Sequence, residues 1–449
     1  MTATLPARDA DRDPVGLASP PESVSDRPKW ALMALDPSGK RQLLVRQLVS
    51  GIESDAMVFR ELAGGGGDND IDIDAGGLSV AKWNKKPFPP AKMARGSREV
   101  RVAKMLAGSA AARRFAALLA AQDMRGGYRE SWWRHYNLGD MHDVVSAGFR
   151  GSQAPASLVF RWVAQCLEGI ACLDGELGAR HMDLHPGNVF FHTDGGDVDA
   201  VLGDFGQARL AGERPPVFSS GEEELSAMGA EGGRAARMSP PLSLDEAKGD
   251  EDYSWRTRWD ARQFLDQIAN TLMNGFGGGE REEAGDDLLL AGFFASLEAM
   301  VARDEADRRL PERQRPPLQD LAPLVRDAWE LSRLCAWEAA DGAAARQVRA
   351  NLLAGLAGMP SGVQVFDSEG AARDAYERHV GAGMLRVVDL SDDGRSVRAA
   401  AAELAAFKVA GTAWVAPPPS TSSTPATSGA AEERPLALVC EELVSRYAR

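Results

Sequence analysis

Apolar residues recur along the chain with two different periods. From Trp30 to Tyr136 they fall in short runs: WALMAL at 30–35, QLLVRQLV at 42–49, MVFREL at 57–62, LSVAKW at 78–83 and SWWRHY at 131–136. Runs of this length, rich in aliphatic and aromatic side chains, predict strands. One helix interrupts them, REVRVAKMLAG, starting near Arg98. Beyond residue 157 the spacing changes. Val159, Val163, Cys166, Ile170 and Leu173 recur at helical steps and mark one buried stripe. Phe264, Leu265, Ile268 and Leu272 repeat the logic within 258–273, and Leu321, Val325, Ala328, Leu331 and Cys335 mark a third helix. Between the first two lie two short strands, NVFFHT at 188–193 and AVLGDF at 200–205, joined by a Gly/Asp turn.

The remaining segments set the organisation. Residues 1–28 lack periodicity and are expected to be a disordered arm. AGGGGDNDIDIDAGG at 63–77 separates two strands, and PPPSTSSTPATSG at 417–429 is a spacer. AARDAYERH at 371–379 and AAAAELAAFKV at 399–409 suggest helices in a folded extension or a partner-docking tail. A small strand-rich half followed by a larger helical half makes the fold class α+β.

Composition narrows the function. Of 449 residues, 44% are hydrophobic, enough for a sizeable core. The net charge of −14 argues against a broad nucleic-acid surface, which needs clustered Lys and Arg. Cys166, Cys172, Cys335 and Cys440 form no C-x-x-C pair, so neither a disulfide scaffold nor structural zinc is expected. The N-terminal residues have no apolar core, and no run of about 18 uninterrupted apolar residues occurs. The expectation is a soluble, cytoplasmic protein with no membrane partner.

The chemistry concentrates in His181-Met182-Asp183-Leu184-His185-Pro186-Gly187-Asn188, followed after a strand–turn–strand by Gly203-Asp204-Phe205-Gly206. Phosphoryl transfer needs a carboxylate facing the acceptor hydroxyl and hard oxygen ligands that hold Mg²⁺ on the phosphates. Asp183 suits the first role, and Asn188 and Asp204 suit the second. A Pro/Gly loop lets Asp183 and Asn188 both turn inward, whereas a regular helix would point them apart.

These two motifs resemble the catalytic loop and the DFG motif of the protein-kinase superfamily. The resemblance implies a bilobal kinase-like fold, with a small β-rich N-lobe and hinge at 29–140, a larger helical C-lobe at 141–355 and an extension at 356–449. It implies ATP and Mg²⁺ as cofactors and a protein or peptide acceptor. Lys82 in the strand Leu78-Ser79-Val80-Ala81-Lys82 would reach the phosphates, and Glu99 in the following helix would orient it. Gly51 to Val58 would be the phosphate-covering loop. Along the hinge, the Arg134 carbonyl and Tyr136 amide would face adenine, Asp140 the ribose, and Trp133 would be the gatekeeper. Asn188 and Asp204 would hold the metal, with Asp183 and His185 in the catalytic loop. His181 is expected to be a buried structural histidine, and Asp260 in Trp259-Asp260 the family's anchoring aspartate. The likeness spans roughly residues 40–275.

The chain departs from the family pattern at several positions. Gly51-Ile52-Glu53-Ser54-Asp55-Ala56-Met57-Val58 keeps one glycine of three. Met182 replaces the arginine that pairs with a phosphorylated activation segment, so that switch is not expected. His185 replaces a lysine. The segment from Phe205 to Trp259 lacks an A-P-E, with Ser239-Pro240-Pro241 a poor stand-in, and Ser219, Ser220 and Ser226 read equally well as exposed-loop residues or phosphorylation sites. The run Asp68 to Asp74 is not a calcium loop, since Ile73 and Ser79 stand where glycine and a bidentate glutamate are needed. Three readings follow: a Ser/Thr protein kinase, a pseudokinase used as a nucleotide- or partner-binding module, and a small-molecule kinase of the aminoglycoside or choline type, whose H-x-D-x-H-x-x-N pattern His181, Asp183, His185 and Asn188 also satisfy.

Overall fold

The structure, a computed structural model, describes residues 30–48, 54–64, 71–72, 77–88, 97–149, 154–194, 196–210, 258–274, 285–308, 310, 312–314, 316–337, 339–357, 362–378, 384–391, 394–417, 442–443 and 445–447. The sequence readings at 1–28, Gly51 to Glu53, Asp68 to Asp70, Ile73 to Asp74, Ser219, Ser220, Ser226, Ser239 to Pro241, the spacer from 418 to 429 and Cys440 fall outside these residues.

The first part of the chain forms β1 Trp30–Leu35, β2 Arg41–Gln47, β3 Ser54–Glu61, β4 Ala63–Gly64, β5 Ile71–Asp72 and β6 Leu78–Asn84, then helix α1 Arg98–Leu106, then β7 Leu118–Met124 and β8 Tyr128–Arg134. Within the stretch read as a linker, β4 pairs with β5. The main sheet is antiparallel, in the order β1-β2-β3-β6-β8-β7. Its side chains alternate, as strand geometry requires. The register sets Val58 opposite Val80 and Ala56 opposite Lys82 on one face. Met57, Phe59, Ala81 and Trp83 point the other way, into a core with Leu32, Leu44 and Trp132. There Phe59 lies 5.7 Å from Trp83, edge to face, and 5.2 Å from Trp132. Burying each of these rings contributes on the order of 2–3 kcal/mol. The Lys82 face is left for α1 and for the site described below.

The helical part follows, with β9 Gly139–Asp140, α2 Met141–Gly148, α3 Ala156–Gly175, β10 Ala179–Arg180, β11 Val189–His192, β12 Asp199–Leu202 and β13 Arg209–Leu210. After them come α4 Trp259–Gln263, α5 Asn270–Asn274, α6 Gly285–Arg308, α7 Ala322–Trp337 and α8 Ala339–Ala357. Helix α3 is the centre of the largest core, and its sequence stripe from Val159 to Leu173 is buried throughout. It is long and apolar enough to cross a membrane by length and composition, yet most of it is covered by the rest of the fold. Between α4 and α5 the chain is π-helical over Phe264–Ala269, which keeps Phe264 and Ile268 in the core.

The last part is β14 Val365–Phe366, α9 Glu369–Arg378, β15 Arg386–Asp389, α10 Arg395–Phe407 and β16 Trp414–Val415. It returns to the sheet. β14 and β15 both pair with β1, and β16 pairs with β7 at the opposite edge. Val397, Ala400 and Leu404 of α10 pack on Ala31, Met33 and Leu43. Leu443 and Tyr447 join the helical core, where the Tyr447 hydroxyl donates to Asp327 at 2.7 Å. Among the described residues the fold is α+β, with an antiparallel sheet and about ten helices.

Candidate functional site

Helix α1 begins at Ser97, whose hydroxyl accepts the Val100 amide at 3.5 Å. That cap fixes Glu99 in the first turn, where a carboxylate also suits the helix dipole. From the facing strand β6, Lys82 Nζ reaches Glu99 Oε1 at 2.9 Å and Asp204 Oδ2 at 3.6 Å. The Trp133 ring from β8 lies 5.6 Å from the same ammonium group. Burial alone would pull the Lys82 pKa down, but the Glu99 and Asp204 carboxylates outweigh it and hold the amine charged. Asp204 is held below the usual carboxylate range. Burial pushes it up, and Lys82, the Gly206 amide, His181 and His185 together pull it further down.

The loop from His181 to Asn188 is built from the other side. His181 is fully buried, with Nε2 2.9 Å from the Gly203 carbonyl and its ring 4.9 Å from Phe205. Asp260, at the start of α4, accepts the amides of His181 at 2.7 Å and Met182 at 2.9 Å. One turn on, Gln263 accepts the Leu184 amide at 3.0 Å and donates to the Met182 carbonyl at 3.2 Å. The loop closes in a 3₁₀ turn over Pro186–Asn188. There the Gly187 amide donates to His185 Nδ1 at 3.1 Å, and the Asn188 Nδ2 donates to the Asp183 carbonyl at 2.8 Å. His185 Nε2 stands 4.0 Å from Asp183 Oδ2.

A hairpin joins the two groups. β11 and β12 pair with Val189 opposite Leu202, and the Gly203 amide donates to the Asn188 carbonyl at 2.9 Å. Gly203, the residue before Asp204, is thereby set opposite Asn188. Asp204 takes a left-handed backbone, φ +59°, and its Oδ1 accepts the Gly206 amide at 3.4 Å. The structure thus brings together Lys82, Glu99 and Asp204 in one group and Asp183, His185 and Asn188 in a second, adjoining one.

The other residues singled out from the sequence are placed as follows. Val58 lies on the Lys82 face of the sheet, opposite Val80. Arg134 ends β8, and its guanidinium meets His192 at 2.9 Å. The Tyr136 hydroxyl accepts the Ala117 amide at 2.9 Å, and its ring stacks on Phe190 with centroids 6.2 Å apart. Asp140 caps α2 in a reciprocal box with Asp143, and Gly139 at φ +78° leaves room for it, since a Cβ there would overlap the Asp143 carboxylate. The Asp140 Oδ2 faces Gly187.

Two participants, Phe190 and Gln263, escaped the sequence reading, and a third, Ala56, was read only as part of the Gly51 to Val58 loop. Ala56 sits directly opposite Lys82, and the period-two alternation from Val58 was the signal for it. Phe190 lies against Gly203, where a Cβ would collide with its ring. Gln263 follows Asp260 by three residues, the helical spacing that puts both on one face.

As a cation site, Asn188 and Asp204 offer one carboxamide and one ionised carboxylate, hard oxygen donors suited to Mg²⁺ sharing its remaining positions with phosphate and water. Among the described residues no group of three His, Cys, Asp or Glu gathers to hold a metal alone. In comparisons with known proteins, no family model and no curated protein matches the chain.

Proposed function

We propose that the chain is a bilobal, protein-kinase-like phosphotransferase that moves the γ-phosphate of ATP to a Ser or Thr hydroxyl of a protein or peptide. The observation that carries this reading is Lys82, bridged at once to Glu99 and to Asp204. An ammonium held between two carboxylates is oriented before any ligand arrives, which is what electrostatic stabilisation of phosphates requires. Asp183 orients the acceptor hydroxyl and takes its proton. Lys82 neutralises phosphate charge, and Glu99 fixes its direction. Asn188 and Asp204 would hold Mg²⁺, which supplies charge neutralisation on the phosphates. With Asn188 Nδ2 tied to the Asp183 carbonyl, Oδ1 is the atom of that amide suited to a cation. Val58 would line the adenine side of the sheet, with the Arg134 carbonyl and Tyr136 amide at the hinge and Asp140 near the ribose.

Asp183→Asn tests this reading in a radiolabelled-ATP assay with peptide and small-molecule acceptors side by side. Transfer should fall by about 10²–10⁴-fold while nucleotide binding persists. Unchanged transfer would overturn the mechanism, and phosphate appearing only on metabolites would shift the acceptor class to small molecules.

A second reading, a nucleotide- or partner-binding module without turnover, is favoured by His185. It stands where the family pattern has a lysine, and its Nδ1 is engaged by the Gly187 amide at 3.1 Å, which leaves Nε2 as the one ring nitrogen able to face a phosphate. A thermal shift with MgATP in the absence of any transfer would select that reading.

A further inference from the structure

The residues following α10 run along the outer edge of β7. The Arg125 amide donates to the Phe407 carbonyl at 2.7 Å, the Val409 amide to the Asp123 carbonyl at 3.0 Å, and the Ala416 amide to the Leu119 carbonyl at 2.8 Å. Lys408 anchors this stretch, donating to the Leu35 carbonyl at 2.7 Å and forming an ion pair with the buried Glu130. At its end β16 sets Trp414 opposite Ala121.

Trp414 packs against a small core of Val100, Ala103, Ala116, Leu118, Ala121 and Trp133. Val100 and Ala103 belong to α1, and Trp133 is the ring beside Lys82. Lys104, in the last turn of α1, places its ammonium 4.9 Å from the Trp414 ring centroid. α1 has nine residues. A helix that short does not hold itself in water, so its position depends on what its faces touch. One face, through Val102 and Leu106, belongs to the large helical core. The other, through Val100 and Ala103, meets the Trp414 cluster. Glu99 immediately precedes Val100, so a shift of that face moves the carboxylate that Lys82 meets at 2.9 Å.

We propose that Trp414 is a positioning residue for Glu99, and that the stretch from Phe407 to Ala416 is therefore a working part of the site rather than an appendage. The proposal deepens the phosphotransferase reading and rests on it for the role of Glu99. Its local consequence, the placement of α1, is measurable without any nucleotide.

The experiment is hydrogen exchange on the full chain, comparing Trp414→Ala, Trp414→Phe and wild type, with MgATP titrations on the same three proteins. Amides of α1 should exchange about tenfold faster in Trp414→Ala, while those of β3 and β6 stay unchanged. Trp414→Phe, which keeps an aromatic ring, should restore slow exchange. MgATP affinity should weaken in Trp414→Ala and recover in Trp414→Phe. Unchanged α1 exchange in Trp414→Ala would overturn the proposal. Faster exchange in a protein whose wild type binds no MgATP would uphold the positioning role and overturn the phosphotransferase reading instead. If Trp414→Ala does not fold, Lys104→Ala, at an exposed position, gives the same readout with a smaller increase, about threefold.

Discussion

Asp260 accepts the Met182 amide at 2.9 Å and so holds a non-glycine residue at φ +69°. A left-handed methionine is strained, and it persists because its surroundings fix it. The same buried carboxylate also takes the His181 amide. Asp260→Ala leaves both amides without their acceptor and should cost about 2–4 kcal/mol. The lowered Tm, read by calorimetry, should come with loss of transfer, because Asp183 follows directly on Met182.

The bridge between Lys82 and Glu99 gives a second expectation. Glu99→Gln keeps the shape of the side chain and removes the charge. The Lys82 ammonium then retains only Asp204, and that carboxylate should be drawn closer to the amine and away from a cation. Transfer should fall by about tenfold or more, with a higher Mg²⁺ concentration needed for half-maximal activity. A magnesium titration of the two proteins checks this, and identical titrations would contradict it.

His135 supplies a pH dependence. Burial, followed by the charges of Arg46 and His192, lowers its pKa to about 4 from an ordinary value of 6.5. A group whose folded pKa is depressed stabilises the fold above its unfolded pKa, and that contribution is lost as pH falls through the folded value. The Tm should therefore drop between pH 6.5 and about 4 by more in the wild type than in His135→Asn. Parallel Tm profiles over that range would show that His135 contributes nothing.

Gly292 in α6 lies under Tyr447, and a Cβ at this position would run into the Tyr447 backbone. Backbone cannot yield as a flexible side chain does. Gly292→Ala should displace the segment around Tyr447 and destabilise the protein by about 1–3 kcal/mol. Faster amide exchange at Leu443 and Tyr447 together with a lower Tm is the expected pair of results.

Much of this arrangement was written in local pattern. The strands around Lys82, the helix of Glu99, the stripe of α3 and the hairpin joining Asn188 to Asp204 were readable because their periods were clear. β7 was not, since LLAAQDM mixes small and polar residues without clean alternation. α6 was hidden by an apolar run with no single face, and α8 by alanines that suit buried and exposed positions alike. The partners of the C-terminal residues were illegible for a different reason. Nothing near Trp414 in sequence indicates that it packs against the cluster of Val100 and Ala103 and faces Lys104, far earlier in the chain. The short-range signals name the groups of the site, and only the tertiary fold shows which distant side chains hold them.

The pairing of β1 with β14 and β15 has a consequence for how the molecule is born. Trp30 leaves the ribosome long before its partners Phe366 and Asp389. Synthesis at about 5–20 residues per second leaves that first strand waiting on the order of tens of seconds for its neighbours. During translation the nascent sheet is therefore an unfinished product with a raw margin, exposed to mispairing until β14 and β15 emerge.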